Sequence, residues 1–196
     1  SPVAAAEPEA DDAIRAIAIP GGASVFAAGA DLNLLVDKGA QQVADIDLGQ
    51  YWAPVAQCRK TTIAAVSGFA LGAGCELAMM CDFIVADPSA RFGQPELAVG
   101  IMPGAGGTQR LLRAVGRPVA AMLLLTGEQL TATRAYQLGL VAELAEEGQA
   151  LMRAQALAHK VARMPPKAVA ATRRVLRQGA ELPLDAALAL ENREFL

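Results

Sequence analysis

Short apolar runs alternate with stretches of helical periodicity over the first three quarters of this chain. The clearest runs are Ile17-Ala18-Ile19, Thr61–Val66 and Phe83–Ala86, and each borders a proline or a polar residue. Strands that alternate with helices are typical of parallel βαβ units, because parallel neighbours need a crossover connection. We therefore expect an α/β core over residues 1–144 and, where only helical patterns follow, a helical region over residues 145–196.

Glycine and capping residues mark where individual helices are expected to begin and end. Thr131 is a predicted N-cap, and Gly127 and Gly139 are predicted stop signals. The small residues of Gly68–Gly74 are interpreted as one turn before a short helix. The full set of predicted helices is 32–57, 75–81, 108–115, 119–125, 131–138, 149–163, 167–177 and 184–195.

The charge balance and the residue types present argue against several classes of function. The net charge is −3 without a basic block, so nucleic acid is not an expected partner. The single histidine, His159, lies in a helical pattern, which argues against Ser-His-Asp triads and histidine-rich metal sites. Cys58, Cys75 and Cys81 match no metal-binding spacing and indicate buried thiols in a reducing compartment, the cytoplasm or, in a eukaryote, the mitochondrial matrix. The most apolar stretch, Ile63–Cys75, is too short and too rich in glycine to span a membrane.

Two isolated carboxylates stand out in a nearly charge-free stretch. Five charged residues occur in residues 61–109, and three of them flank a predicted strand or follow it in a loop. The other two, Glu76 and Glu96, lie in apolar, glycine-rich surroundings. An ionised carboxylate that is buried without partners is costly, so each of them needs a reason. A helix-start position for Glu76 and a surface loop for Glu96 are the alternatives to a catalytic role. Paired acids are a standard means of moving protons, which favours catalysis for both.

Small residues next to Glu76 suggest a second chemical feature, made by the backbone. The turn Gly72-Ala73-Gly74 leads into a predicted helix, and a helix N-terminus presents unpaired N–H groups. The loop Ala27–Ala30 has the same character, so the two loops could aim two donors at one oxygen as an oxyanion hole. Tight packing is the alternative for both loops. The glycine-rich Gly104–Gly107 lacks the Lys-Ser/Thr that follows in a phosphate-binding P-loop.

Four ordered motifs resemble those of a known family: VFAAGAD, IAAVSGFALGAGCELAMMCD, FGQPELAVG and MPGAGGTQRL. Together they resemble the enoyl-CoA hydratase/isomerase (crotonase) family, colinearly over residues 13–141 and more loosely beyond. The resemblance implies an α/β crotonase-like spiral of repeated ββα units, with a helical C-terminal subdomain that forms trimers or hexamers. It also implies an acyl-CoA thioester substrate, with coenzyme A as part of the substrate and neither a separate cofactor nor a metal.

The resemblance also places the family's site residues on this chain. It implies that the N–H groups of Ala30 and Ala73 form the oxyanion hole. Many relatives have glycine at the position of Ala73, and alanine retains the donor. Glu76 is expected to act mainly on the water, and Glu96 on the proton at the α-carbon of the substrate. The residues expected next to the water or the coenzyme A portion, largely through backbone atoms, are Ala28, Ala30, Asp31, Leu32, Ala73 and Gly104.

Three functions are open at the level of sequence. Hydration of 2-enoyl-CoA to 3-hydroxyacyl-CoA, in fatty-acid or related acyl degradation, is favoured by both glutamates and by the FGQPE segment. A 3-enoyl/2-enoyl-CoA isomerase could work with one carboxylate. A non-catalytic acyl-CoA-binding or scaffold protein is the third, because relatives usually have further residues before Ala13 and after Leu196 that help to form the site.

Overall fold

The structure, a computed structural model, describes residues 11–29, 38–39, 41–42, 45 and 49–195. Its strands are β1 Ala16–Pro20, β2 Val25–Ala27, β3 Thr61–Val66, β4 Phe69–Leu71, β5 Phe83–Ala86, β6 Arg91–Gly93, β7 Gln129–Thr131 and β8 Glu143–Leu144. Its helices are α1 Gly49–Ala56, α2 Ala73–Met80, α3 Gly107–Val115, α4 Arg117–Thr126, α5 Ala132–Gln137, α6 Ala150–Ala162, α7 Pro166–Gly179 and α8 Leu184–Phe195. A 3₁₀ turn spans Glu96–Val99.

The strands form two four-stranded sheets, and the chain joins them in alternation from β1 to β6. The first sheet has the order β1-β3-β5-β8 and is parallel throughout. The second has the order β2-β4-β6-β7, in which β2, β4 and β6 are parallel and β7 pairs with β6 in the antiparallel direction. From β1 to β6 each turn of the chain adds one strand to each sheet before a helix follows, whereas in the last turn α5 lies between β7 and β8. This repeat confirms the predicted spiral of ββα units.

Part of the segment that the sequence analysis interpreted as a turn is a strand. Phe69–Leu71 forms β4, so the prediction of a single turn at Gly68–Gly74 is wrong. The turns are confined to its two ends, where Gly68 has a φ of 64° and Gly72 a φ of 52°. Three residues between glycines show too little periodicity to identify a strand. The sequence analysis missed β7 and β8, with three and two residues, for the same reason.

The helix ends largely follow the signals in the sequence. Thr131 caps α5 as predicted, with Oγ1 accepting a hydrogen bond from the Arg134 N–H at 3.2 Å. Gly127 ends α4 in the left-handed conformation, with a φ of 71°. Nearly half of the predicted helix 32–57 lies outside the described residues, and α1 is its last part. None of the helices in the described ranges has the length and apolar character that crossing a bilayer requires.

The start of α2 is pressed against the end of β2. A Cβ atom on Gly74 would lie 1.9 Å from the backbone oxygen of Ala27, far inside van der Waals contact. Only glycine allows such a close approach of two backbones. Residue 74 therefore fixes the first turn of α2 beside the segment that leads to Ala30.

The core is centred on β3, because each of its six residues is buried. Helix α6 packs against β1, β3 and β5, where Ala150 and Ala154 contact Ile63 and Val85. The first helix after β8 thus completes the core, whereas α7 and α8 pack chiefly on each other. The division of the chain at residue 144 and the trimerisation role of residues 145–196 stay predictions.

Two arginines around one carboxylate fix α7 to the core. Arg173 is buried and donates from Nε and Nη2 to the two oxygens of Asp82, at 2.8 and 3.1 Å. Its Nη2 also donates to the Cys58 carbonyl oxygen at 3.2 Å, and Arg177 Nε donates to Asp82 Oδ1 at 3.3 Å. The network therefore joins α7 to the chain after α1 and to the start of β5.

Replacing Arg173 by alanine is expected to lower the free energy of unfolding by about 3 kcal/mol, because Asp82 would remain partly buried without its main partner. Urea unfolding followed by circular dichroism measures this change. Arg174→Ala is the matched control, since this residue lies on the same helix but pairs with Glu194 at the surface, where an ion pair contributes little. Equal stability of the two variants would be inconsistent with the role assigned to Arg173.

Candidate active site

Glu76 lies in the first turn of α2 and is almost completely buried, with 1% of its surface exposed. Its Oε1 atom accepts hydrogen bonds from the backbone N–H groups of Ala105 at 2.9 Å and Gly107 at 2.6 Å. These donors belong to the glycine-rich turn that opens α3, so the carboxylate lies at the N-terminus of that helix. Both the N–H groups and the helix dipole favour its charged form. Among the described residues no donor reaches Oε2, which leaves this oxygen to act on a ligand.

The turn before α3 needs glycine at two positions to hold Glu76 in this way. Gly106 has a φ of 97°, in the left-handed region that side chains rarely adopt. A Cβ atom on Gly107 would lie 2.8 Å from Glu76 Oε1 and 2.8 Å from the side-chain amide of Gln94. Glycine at position 107 therefore lets the backbone come close enough to donate to the carboxylate.

Glu96 begins the 3₁₀ turn directly after Pro95, and it is half-buried. The fully buried side-chain amide of Gln94 lies against its carboxylate. In the orientation that turns the amide nitrogen to the carboxylate, Gln94 donates to Glu96 Oε1 at 2.9 Å and to Oε2 at 3.2 Å. On another side, a Cβ atom on Gly72 would lie 3.0 Å from Glu96 Oε1. The carboxylate of Glu96 thus lies beside the turn that precedes α2.

The structure brings the two predicted carboxylates into one site. The Gln94 amide contacts Glu96. Both this amide and Glu76 Oε1 would lie 2.8 Å from a Cβ atom placed on Gly107. Burial raises the pKa of Glu76, and the N–H groups of Gly107 and Ala105 only partly offset this effect. Burial also raises the pKa of Glu96, and the negative charge of Glu76 raises it further. Neighbouring carboxyl groups with raised pKa values are suited to exchange protons at a higher pH than ordinary carboxyl groups.

The sequence analysis missed the groups that hold this pair in place. Gln94 lies two residues before Glu96 in the FGQPE motif, and an amide in this apolar segment was the available signal. The donors to Glu76 are backbone groups of residues 105 and 107, for which residue type gives no direct signal. Cys75 packs beside Gln94, and burial raises the pKa of its thiol to about 12, so it stays protonated.

The sequence analysis predicted one backbone donor, Ala73, at the start of α2. Ala73 is the first residue of the helix, so its N–H group belongs to the turn that has no intrahelical acceptors. The segment after β2 approaches the same place, because Gly74 meets the backbone of Ala27 and a Cβ on Gly29 would lie 3.7 Å from the Leu71 oxygen. That the N–H groups of Ala30 and Ala73 meet at one oxygen stays a prediction, since Ala30 lies outside the described residues.

The other predicted site residues are placed only in part. Ala28 is exposed in the segment after β2, and Gly104 is exposed at the start of the glycine-rich turn, with no atom within 4 Å of its Cβ position. Ala30, Asp31 and Leu32 lie outside the described residues, so their contacts stay predictions. Within the described part of the chain, no group of three or more His, Cys, Asp or Glu side chains could hold a metal ion.

Comparison with known proteins gives a family. A family model described as "Enoyl-CoA hydratase/isomerase" matches residues 4–196. The chain is 48% identical over 185 residues to 2,3-dehydroadipyl-CoA hydratase of Escherichia coli (strain K12), an alignment that covers 94% of this chain and 72% of the relative. It is 44% identical over 189 residues to a probable enoyl-CoA hydratase of Rhizobium meliloti (strain 1021), covering 95% of this chain and 73% of the relative.

A solved structure extends the similarity to the fold. The crystal structure of an enoyl-CoA hydratase subunit I from Geobacillus kaustophilus HTA426 superimposes with a TM-score of 0.93 at 34% sequence identity. The superposition covers 99% of this chain and 76% of the solved one. The similarity therefore includes both sheets and the helical C-terminal region.

Proposed function

The chain belongs to the enoyl-CoA hydratase/isomerase family, and we propose on this premise that it hydrates 2-enoyl-CoA thioesters to 3-hydroxyacyl-CoA. The observation that carries the proposal is the pair Glu76 and Glu96, whose carboxyl groups have raised pKa values, the charge of Glu76 contributing to the raised pKa of Glu96. The curated relatives at 48% and 44% identity are named hydratases, which supports the same reaction here. The reaction belongs to the degradation of fatty acids or related acyl groups.

Glu76 acts on the water. Because Ala105 and Gly107 occupy Oε1, Oε2 accepts a hydrogen bond from the water and takes its proton as the water oxygen attacks the β-carbon. The electron pair of the carbon–carbon double bond moves toward the thioester oxygen. Glu96, protonated at the start, delivers its proton to the α-carbon. A proton transfer from Glu76 to Glu96, directly or through solvent, then restores the starting state.

Backbone donors stabilise the negative charge that develops on the thioester oxygen. One is the N–H group of Ala73 at the start of α2, and the other is that of Ala30. Each donor of this kind lowers a barrier by about 3 kcal/mol. The reaction moves protons and water without a change of redox state, so it requires no redox cofactor. The groups that hold the water and the coenzyme A portion are those of Ala28, Asp31, Leu32 and Gly104.

We also propose that the chain assembles into trimers, or hexamers made of two trimers, through its helical C-terminal region. Large apolar side chains are exposed on α7 and α8, among them Leu176, Leu184, Leu188 and Phe195. Sedimentation analysis of the protein would test this assembly. The three cysteines are buried and form no disulfide, which supports a reducing compartment such as the cytoplasm or, in a eukaryote, the mitochondrial matrix.

The rate of hydration is expected to show a bell-shaped dependence on pH. Glu76 must be ionised, and burial raises its pKa above the ordinary value of 4.5. As the pH decreases, the rate therefore begins to fall while the pH is still above that ordinary value. Glu96 must be protonated, so the rate also falls as the pH rises through its raised pKa. The two apparent pKa values of this profile describe the coupled pair of carboxyl groups and not either residue alone. Measuring kcat over a series of pH values gives both of them. A rate that is constant from pH 4.5 upward would rule out this use of the carboxyl groups.

Gly107→Ala is expected to lower kcat about tenfold or more, because its methyl group would displace Glu76 or Gln94 from the contact at 2.8 Å. Steady-state kinetics measure this effect. Gly179→Ala is the matched control: it lies at the end of α7, where an added Cβ would meet the Ala187 Cβ at an ordinary 3.6 Å. Unchanged kcat in Gly107→Ala would show that the close packing around Glu76 is not needed.

The reaction is tested by following the ultraviolet absorbance of a short, conjugated 2-enoyl-CoA in the presence of the protein. Hydration predicts loss of this absorbance and a product that has gained one water molecule in mass. A 3-enoyl-CoA provides the second arm of the experiment, since its conversion to the 2-enoyl isomer alone would assign an isomerase. Tight binding of both thioesters without turnover would indicate a binding protein instead.

A further inference from the structure

Arg110 lies over the turn that holds Glu76. A Cβ atom on Gly106 would lie 3.2 Å from Arg110 Nε and 3.7 Å from its Cδ, so the side chain folds back across this glycine. The residues on either side of Gly106, Ala105 and Gly107, donate the two N–H groups that bind Glu76 Oε1. The guanidinium group is therefore separated from the buried carboxylate by a single turn of backbone.

The position of Arg110 is unfavourable for the helix that carries it. Arg110 lies in the first turn of the nine-residue α3, where the helix dipole disfavours a cation. In the described part of the chain its side chain forms no ion pair or hydrogen bond, whereas Arg113, one turn further along, pairs with Glu181 at 3.2 Å. A cation that occupies an unfavourable position in a helix, with no neighbouring group to compensate, is a candidate for a functional role.

The charged groups around Glu76 are few. Glu96 approaches from the 3₁₀ turn, Arg110 from α3, and Cys75 on α2 itself is a neutral thiol. The other elements that pack against α2 are α1, β2, β4 and β5, and among these only α1 carries an ionisable side chain, Tyr51. Among the described residues, Arg110 is thus the cation whose charge acts on Glu76.

We propose that Arg110 is a positioning residue whose charge keeps Glu76 ionised beside Glu96. Like-charged carboxyl groups at close range resist a second ionisation, so a nearby cation decides which of them holds the proton. Burial raises the pKa of Glu76, while the N–H groups of Gly107 and Ala105 and the charge of Arg110 lower it. The catalytic consequence rests on the proposed function: Glu76 stays ready to accept the proton of the water.

Carbon-13 NMR of the glutamate carboxyl groups tests the charge effect without reference to catalysis. The resonance of Glu76 is assigned by its loss in Glu76→Gln, and its pKa is then measured in Arg110→Gln, Arg110→Lys and Arg113→Gln. We expect the pKa of Glu76 to rise by about half a unit in Arg110→Gln, since Arg110 is exposed to solvent, and to stay near its starting value in the other two variants. The same pKa in Arg110→Gln as in the unaltered protein would overturn the proposal.

Kinetics distinguish this role from substrate binding. The acid limb of the pH profile is expected to move upward in Arg110→Gln, with kcat reduced at low pH and KM unchanged. High salt is expected to shift the limb of the unaltered protein in the same direction, because it screens the charge. A raised KM together with an unchanged pKa of Glu76 would assign Arg110 to an anionic part of the substrate and overturn the proposal. Failure of the protein to hydrate any 2-enoyl-CoA would contradict the proposed function but leave the NMR result decisive for Arg110.

Discussion

Replacing Glu96 by glutamine is expected to lower kcat about 10³-fold while the fold is preserved. Glutamine has the same shape and can still contact Gln94, but it carries no proton that can be delivered to the α-carbon. The half-buried position of Glu96, beside Gly72 and against a buried amide, fixes the side chain where no other described acid except Glu76 is close. Steady-state kinetics on a short 2-enoyl-CoA measure the loss, and circular dichroism shows whether the fold is retained.

The matched control for this variant is Glu191→Gln, which removes an exposed carboxylate from α8, far along the chain. It is expected to retain full activity, because the substitution leaves both carboxyl groups of the site in place. Retention of more than about a tenth of the native kcat in Glu96→Gln would show that another group supplies the proton.

Replacing Glu76 by glutamine is expected to abolish hydration to a similar extent, about 10³-fold in kcat, for a different reason. The amide oxygen can still accept the hydrogen bonds of Ala105 and Gly107, so the side chain keeps its place. The remaining NH₂ group, however, cannot take a proton from water. Binding of a non-reactive acyl-CoA is therefore expected to persist, and calorimetry separates this loss of chemistry from a loss of binding.

The same variant is expected to be more stable than the native protein at neutral pH. Burial raises the folded-state pKa of Glu76 above its ordinary value of 4.5, so its ionised form costs folding free energy. This cost is absent below pH 4.5, develops as the pH rises toward the folded-state pKa, and is full above it. Urea unfolding at two pH values checks the sign. Lower stability of Glu76→Gln at neutral pH would show that the charged carboxylate stabilises the fold instead.

The sequence was sufficient to find the reacting groups but not the groups that orient them. Glu76 and Glu96 stood out because charge is rare between residues 61 and 109, and the structure places both in one site. Gln94 gained its role only when the chain reversal after β6 placed it between Glu96 and Gly107. The donors to Glu76 are backbone groups, whose direction depends on the left-handed turn before α3 and not on residue type.

In the fold, too, elements with long apolar patterns were predicted from the sequence, whereas very short strands were not. The buried strands β3 and β5 and the longer helices of the second half were predicted because each has a sustained apolar pattern. The strands β4, β7 and β8 have two or three residues each, and they form because neighbouring strands offer hydrogen bonds to them. Their existence depends on tertiary pairing, which a local pattern does not contain.

A double-variant experiment tests most directly whether Glu76 and Glu96 act as one acid/base pair. The rate of hydration of a short 2-enoyl-CoA is measured for the native protein, Glu76→Gln, Glu96→Gln and the combined variant. Because both groups serve one step, the combined variant is expected to be about as slow as the slower single variant. Losses that multiply in the combined variant, or a combined variant that hydrates the substrate at the native rate, would contradict the account.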